Sequence, residues 1–286
     1  MTSPHISHLM AADVGNSAIK LGRFVMSLDA DRSPAQVDLQ LDGVYPTVVS
    51  AKDLQSETPC DRPPVRLEAV LMQLSTEPLH WFAASVHRAI EGQLATWVRS
   101  FRRADTYTLL KHTDFPLTID VRAPERVGAD RLAAAVAANE LRHPQRSAII
   151  VDAGTAVTVD LVTADGVFRG GAILPGIQTA ARGLASATDA LPLLENLDLS
   201  TSPVAIGKST QEAMRSGIIW GCVGAVRELI VQMSATLPHV PNVFCTGGDG
   251  MHLARLIDRD MKYDPNLVLR GIALTGYRSQ QHQAGT

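Results

Sequence analysis

Two stretches of this chain repeat one design. Ala148 to Val151 is a short apolar run that ends in Asp152, Ala153, Gly154 and Thr155, and a second apolar, β-branched run returns from Ala156 to Leu161. Near the start, Leu9 to Ala12 leads into Asp13, Val14, Gly15, Asn16 and Ser17, and the chain returns from Ile19 to Phe24. Short apolar runs bounded by Asp and Gly read as buried strands joined by tight turns. A strand tipped by a carboxylate and turned by glycine suits phosphate. The glycine lets backbone N–H groups approach an anion, and the carboxylate can hold a cation that bridges to it. A single such turn could be an ordinary hairpin, because Asp and Gly are common turn residues. Two turns with the same order of residues predict two similar halves facing one ligand.

The rest of the chain fits an alternation of strands and helices. After the first hairpin comes a polar, proline-rich region from Ser27 to Pro64, in which Val37, Leu39 and Leu41 alternate as a half-exposed strand would. Leu67 to Leu74 has helical spacing, Trp81 to Val86 reads as a buried strand, and Arg88 to Arg103 as an amphipathic helix. Two short strands are expected at Thr106 to Leu110 and Leu117 to Val121. A helix is then expected to open at Pro124 and Glu125 and run through an alanine-rich stretch to Leu141. His143, Pro144 and Gln145 break it, which predicts two domains, 1–144 and 145–286.

In the second half the repeated hairpin is followed by a third strand, Val167 to Leu174, and a helix from Ile177 to Ala187. Thr210 reads as the N-cap of a long helix through Leu229. A strand at Val243 to Cys245, two terminal helices and a frayed tail from Ser279 complete the expected order.

Composition narrows the function classes. Of 286 residues, 45% are hydrophobic and 19% charged, enough apolar material for a large core. A net charge of −3 gives no electrostatic case for nucleic acid or anionic membrane, and 5% aromatics argue against a base-stacking platform. The three cysteines, Cys60, Cys222 and Cys245, have neither metal-ligand nor redox spacing and read as inert thiols in a reducing compartment. The opening MTSPHISHLM lacks a charged segment followed by an apolar one, so no secretory signal is expected, and His5 and His8 fall in an expected flexible arm. The most apolar helix-like run, Leu132 to Ala138, is too short to span a bilayer. A soluble cytoplasmic protein is expected.

Three motifs carry candidate chemistry. Backbone N–H groups from Gly15 to Ser17 can cradle the terminal phosphates of a nucleotide, with Asp13 holding a hydrated Mg²⁺. Lys20 can reach a phosphate or be a solvated strand residue, and both readings stand. Thr246, Gly247 and Gly248 after an apolar strand form either a plain loop or a close-packed surface against adenosine. Gly128, Ala129, Asp130 and Arg131 are either a helix start with a surface arginine or a general base beside an anion-binding side chain. In the second reading Asp130 takes a proton from an acceptor hydroxyl, and Arg131 binds an anionic acceptor or steadies the transferring phosphoryl group.

Taken together, these motifs resemble type III pantothenate kinase. The resemblance is carried by Asp13-Val-Gly-Asn-Ser with Lys20, Gly128-Ala-Asp-Arg131, Asp152-Ala-Gly-Thr155 and Gly170-Gly-Ala-Ile-Leu-Pro-Gly176. Ile206-Gly-Lys-Ser-Thr210 and Asp264-Pro-Asn-Leu-Val-Leu-Arg-Gly271 extend it over nearly the whole chain.

The resemblance implies an α/β fold of two ribonuclease-H-like halves, each a mixed β-sheet flanked by helices, as in the acetate kinase, sugar kinase, heat-shock-70 and actin superfamily. It implies ATP-dependent phosphorylation of pantothenate at its primary hydroxyl, the first step of coenzyme A synthesis. By similarity Asp13, Val14, Gly15, Asn16, Ser17, Ala18, Ile19 and Lys20 form the ATP loop, Thr155 touches ATP, and Asp130 is the proton acceptor. Gly128, Ala129, Asp130, Arg131 and Thr210 contact pantothenate. Asp152 binds an activating monovalent cation, K⁺ or NH₄⁺, and the protein is a homodimer.

There are departures. Many relatives carry a tyrosine over the substrate where this chain has Val121, and Ser17 stands for a commoner threonine, keeping the hydroxyl. A non-catalytic nucleotide-binding regulator of the same fold is the alternative reading. Retention of Asp13, Asp130, Arg131 and Asp152 weighs against it, because a pure binder needs no general base.

Overall fold

The computed structural model describes residues 6–27, 38–45, 65–74, 76–195, 197–258 and 260–284. The Val37 position, Cys60 and most of the polar region up to Pro64 lie outside the described residues. The chain forms two compact units. The first comprises 1–116, 125–137 and 268–286, the second 117–124 and 138–267. Neither is one continuous stretch, so the grouping differs from a single cut at 144.

The first unit is built on the five-stranded sheet β3-β2-β1-β4-β5. Its strands are β1 (Ile6–Val14), β2 (Ile19–Ser27), β3 (Asp38–Tyr45), β4 (His80–Ser85) and β5 (Thr106–Leu109). β1, β2 and β3 form an antiparallel meander, while β4 runs parallel to β1 and β5 parallel to β4. β1 is central, and Leu9, Met10, Ala11, Ala12 and Val14 are all fully buried, which is why it reads as a continuous apolar run and not an alternating one.

One face of this sheet packs on α1 (Val65–Gln73) and α2 (Arg88–Phe101). Met10, Leu21, Trp81, Leu94 and Trp97 share that core. α2 is amphipathic as its spacing predicts, burying Ile90, Leu94, Trp97 and Val98. α3 (Ala129–Leu141) and α7 (Leu267–Ala284) also contribute to this unit. α7 packs closely through glycine: a Cβ on Gly271 would overlap the carbonyl of Ala133 in α3, and one on Gly276 the ring of Phe82 in β4.

The second unit repeats the plan. Its strands are β6 (Thr118–Ile119), β7 (Ala148–Ala153), β8 (Ala156–Val162), β9 (Val167–Pro175), β10 (Asn242–Thr246) and β11 (Lys262–Tyr263). They are ordered β11-β10-β7-β8-β9-β6. β7, β8 and β9 form the antiparallel meander, and β10 and β11 continue parallel to β7. Removing β6, which pairs parallel to the outer edge of β9, leaves the strand order and directions of the first sheet. The repeat seen in two short motifs is thus a repeat of the whole sheet, and each unit is the expected ribonuclease-H-like one.

α4 (Ile177–Ser186), α5 (Thr210–Ser234) and α6 (Gly250–Ile257) cover one face of this second sheet. They bury Ile149, Val151, Val159, Ile219 and Leu253 in a common core.

Several local expectations are corrected. His8 lies inside β1, opposite Val25, and not in a flexible arm. Pro124 to Arg126 is a separate 3₁₀ turn, and α3 begins only at Ala129, after Gly128. The strand expected at Leu117 to Val121 shrinks to Thr118 and Ile119. Ser209, not Thr210, caps α5: its backbone is extended and its hydroxyl accepts the N–H of Glu212. Glu212 in turn accepts the N–H of Lys208, closing the start of the helix. The final helix continues to Ala284 where fraying was expected from Ser279. Among the described residues α5 is long and apolar enough to cross a membrane by length and composition alone, and the Leu132 to Ala138 run, as expected, is not.

Candidate active site

The sheet topology explains why the two carboxylates are comparable. Asp13 is the next-to-last residue of β1 and Asp152 the next-to-last of β7, and each is the first strand of its meander. Both sit where the parallel neighbours also end, Asp13 beside Ala84 and Asp152 beside Thr246. Open α/β sheets bind ligands outside these carboxyl ends. Each carboxylate is half-buried, and each strand is followed by a tight reversal. The N–H of Gly15 donates to the carbonyl of Ala18 at 3.0 Å, and that of Gly154 to Ala156 at 2.9 Å.

In the first unit, Asn16 and Ser17 are exposed at the hairpin tip, and Lys20 stands across the ladder from Asp13. Val14 and Ile19 are buried beneath, with Ala18 half-buried between them. The second motif of this unit lies close by. The N–H of Val86 donates to the carbonyl of Val14 at 3.1 Å, and Val86 lies 3.6 Å from where a Cβ on Gly128 would stand. The end of the first hairpin and the Gly128-Ala-Asp-Arg131 turn therefore share a neighbour.

Gly128 also meets the side chain of Asp130. The Asp130 carboxylate folds back over it, into the space a Cβ would occupy. Asp130 Oδ1 accepts the N–H of Arg131 at 2.8 Å. Burial raises the Asp130 carboxyl above its ordinary 3.8, opposed by the N–H and the charge of Arg131. A carboxyl raised by desolvation and steadied at a helix start is well placed to take up a proton.

In the second unit, the Asp152 hairpin tip is clasped by two loops. Gly247, at φ +93°, presses against the backbone of Ala153, where a side chain could not fit, and the N–H of Asp249 donates to the Ala153 carbonyl at 3.0 Å. Of Thr246-Gly247-Gly248, Gly247 is thus packed against the hairpin, while Gly248 is exposed with open space where a Cβ would stand. From the other side Gly176, at the start of α4, abuts the Gly154 and Thr155 carbonyls. Thr155 and Thr210 are exposed. Val121 lies against Gly170, its Cγ1 3.2 Å from where a Cβ would stand, with Gly170 at φ +81°. Next to it Arg169 pairs with Asp120.

Sequence reasoning missed Val86, Gly176 as a packing residue, and Asp249. Their roles come from backbone contacts between distant segments, which leave no local signal.

Of the cysteines, Cys222 and Cys245 lie among the described residues, and both are free thiols. Burial pushes the Cys245 thiol up to about 12, with the charge of Asp152 adding to it, and Cys222 up to about 11. An apolar groove of about 880 Å³ between α4 and α5, lined by Leu174, Ile177, Leu184, Met214 and Ile218 among others, has no carboxylate, Lys, Arg or His in its lining.

Duplicated ribonuclease-H-like sheets with an Asp–x–Gly hairpin at the end of each first strand define the architecture of the actin-like ATPase superfamily. The backbone is similar to a Campylobacter jejuni structure described as a Baf family transcriptional activator. The TM-score is 0.54 at 19% identity, over 96% of this chain and 100% of that one. At this identity the likeness speaks for the fold alone.

The sequence profile described as type III pantothenate kinase matches residues 9–232, and this chain belongs to that family. It is similar to the type III pantothenate kinase of Rhodopirellula baltica, 43% identical over 167 residues, covering 56% of this chain and 58% of the relative. It is 36% identical over 166 residues to that of Porphyromonas gingivalis, covering 58% of this chain and 67% of the relative. The matched stretch thus spans under two thirds of the Rhodopirellula protein.

Proposed function

We propose that this protein is a kinase that transfers the γ-phosphoryl group of ATP to the primary hydroxyl of pantothenate, the opening step of coenzyme A synthesis. The observation that carries this reading is Asp130. It is a half-buried carboxyl raised above its ordinary value, held over Gly128 and sharing the neighbour Val86 with the Asp13 hairpin. In a chain of this family, that is what a general base for an acceptor hydroxyl requires.

In this reading the amides from Gly15 to Ser17 and the Lys20 ammonium take the ATP phosphates, and Thr155 contacts the nucleotide. Arg131, Gly128, Ala129, Thr210 and Val121 receive pantothenate, Arg131 facing its carboxylate. The Asp130 carboxylate accepts the hydroxyl proton as the oxygen attacks the γ-phosphorus in line and the bond to the ADP oxygen breaks. Positioning and charge carry most of the catalysis.

The donor set fits the expected ions. No three His, Cys, Asp or Glu side chains converge among the described residues. A single carboxylate such as Asp13 suits a Mg²⁺ that keeps its waters and takes phosphate oxygens. Asp152 offers one carboxylate to a monovalent cation, K⁺ or NH₄⁺. Bound there, these ions would offset phosphate charge. The net charge of −3 gives no electrostatic pull toward nucleic acid or an anionic membrane; the soluble, cytoplasmic homodimer of this reading comes from the family likeness. The regulator reading draws support from no particular residue, since a binder needs no general base.

The test is ATP-to-ADP turnover by the purified protein with Mg²⁺, with and without pantothenate, in K⁺ and then Na⁺ buffer. Turnover that requires both pantothenate and K⁺ is expected. Nucleotide binding without turnover would turn the assignment to the regulator or to another acceptor.

A further inference from the structure

The tip of the β7–β8 hairpin carries Asp152 and Thr155, and most of what fixes its shape is backbone. Gly154 closes the turn through the carbonyl of Ala156, Asp249 holds Ala153 from one side, and Gly176 seats on the tip from the other. A side chain from α4 joins them. The Thr155 carbonyl accepts two donors from the start of α4, the N–H of Gly176 at 3.1 Å and the hydroxyl of Thr179 at 2.6 Å. The hydroxyl bond is the shorter of the two and spans 24 residues of sequence.

This use of a helical threonine is unlike its usual one. Thr96 and Thr275 return their hydroxyls to the carbonyls four residues earlier, Gly92 and Gly271, each at 2.8 Å, as threonines within helices commonly do. Thr179, the third residue of α4, reaches out of its helix to the neighbouring turn. Two donors on one carbonyl fix the Thr155 peptide plane in two directions, where the amide alone would leave it free to rock. The kinase reading gives Thr155 itself to the nucleotide, and Asp152, which it gives to the cation, lies three residues earlier in the same turn.

We propose that Thr179 is a positioning residue: its hydroxyl pre-organises the Asp152–Thr155 turn for nucleotide and monovalent cation. The proposal rests on the kinase reading. The geometry also separates function from stability. Without the hydroxyl the Thr155 carbonyl still accepts the Gly176 N–H, so no buried acceptor is orphaned and the fold loses little. What is lost is the sub-ångström placement on which a binding turn depends.

The experiment compares Thr179→Val, Thr179→Ala and Thr179→Ser with the wild-type chain. Each is read by steady-state kinetics in ATP, pantothenate and K⁺, by calorimetric ATP binding and by thermal melting. Thr179→Val and Thr179→Ala are expected to raise the KM for ATP and the half-activating K⁺ concentration by about five- to ten-fold, the worth of one neutral hydrogen bond. The expected kcat and pantothenate KM stay within about twofold and the melting temperature within about 2 °C, changes too small to mark a loss of fold. Thr179→Ser keeps the hydroxyl and should restore the wild-type values.

Wild-type ATP and K⁺ constants in either folded hydroxyl-less variant overturn the proposal, as does a Ser variant that behaves like Val. If the wild type binds ATP without turning over pantothenate, the kinase reading falls and the calorimetric constants still decide the role of Thr179. A wild type that binds no ATP overturns both.

Discussion

Asp130 joins chemistry to stability in one side chain. Asp130→Asn should keep nucleotide binding and lower kcat by about 10²- to 10⁴-fold, the usual contribution of a general base; a variant of near-normal rate would remove the assignment. Because burial raises its pKa above 3.8, the folded chain holds this proton more tightly than the unfolded chain. Its contribution to stability is therefore full below the unfolded value and lost as pH rises through the folded one. Asp130→Asn should thus melt no lower than wild type at pH 7, with any gain vanishing at pH values below the ordinary carboxylate range. For the same reason the acid limb of the wild-type kcat/KM profile should lie above that range.

Asp152 has a different signature. Asp152→Ala should abolish the difference between K⁺ and Na⁺ buffers, and an unchanged cation response would count against its role. Both carboxylates were legible in the sequence because each stands two residues from a glycine, Asp130 after Gly128 and Asp152 before Gly154, within a motif that can be read locally. Thr179 was not legible, since nothing near it in sequence announces that its hydroxyl leaves its own helix.

Among the elements, β4, β5 and the end of α2 are tied by one carboxylate. Asp105 accepts the N–H of Leu79 at 3.0 Å, the indole Nε1 of Trp81 at 2.8 Å and the Arg102 Nε at 2.9 Å, with its side chain 1% exposed. Removing this buried carboxylate takes the acceptor from the Leu79 N–H and the Trp81 indole and the adjacent counter-charge from Arg102. Asp105→Ala should therefore cost about 3–5 kcal/mol, read as a lower urea midpoint, with the KM for ATP unchanged in the protein that remains folded. A loss under about 1 kcal/mol, the worth of an exposed pair, would show that the network is dispensable.

Helix and strand types were mostly legible because burial follows the 3.6- and 2-residue periods. Their ends were less so. The expected helix from Pro124 breaks at Gly128, whose carbonyl accepts the N–H groups of both Arg131 and Leu132, making a new start there. Ser209 takes the cap from Thr210 because a hydroxyl one residue earlier reaches the Glu212 N–H. Two adjacent hydroxyl residues present the same sequence signal, and only backbone geometry distinguishes them.

At the scale of the molecule, the homodimer reading predicts a light-scattering mass of twice the chain mass at micromolar concentration, and a monomer with full pantothenate-dependent turnover would refute it.

The sequence by itself determined the strand and helix types, the duplication, the carboxylates and the family. Hydrophobic periodicity and glycine spacing are local, and motif order is a property of the chain. The tertiary structure decided that the duplication extends to the strand order of whole sheets, that α7 returns to the first unit, and which backbone groups clasp the Asp152 turn. Those are contacts between residues far apart in the chain. A donor such as Thr179, 24 positions from its acceptor, finds it only once the sheet has set where both stand.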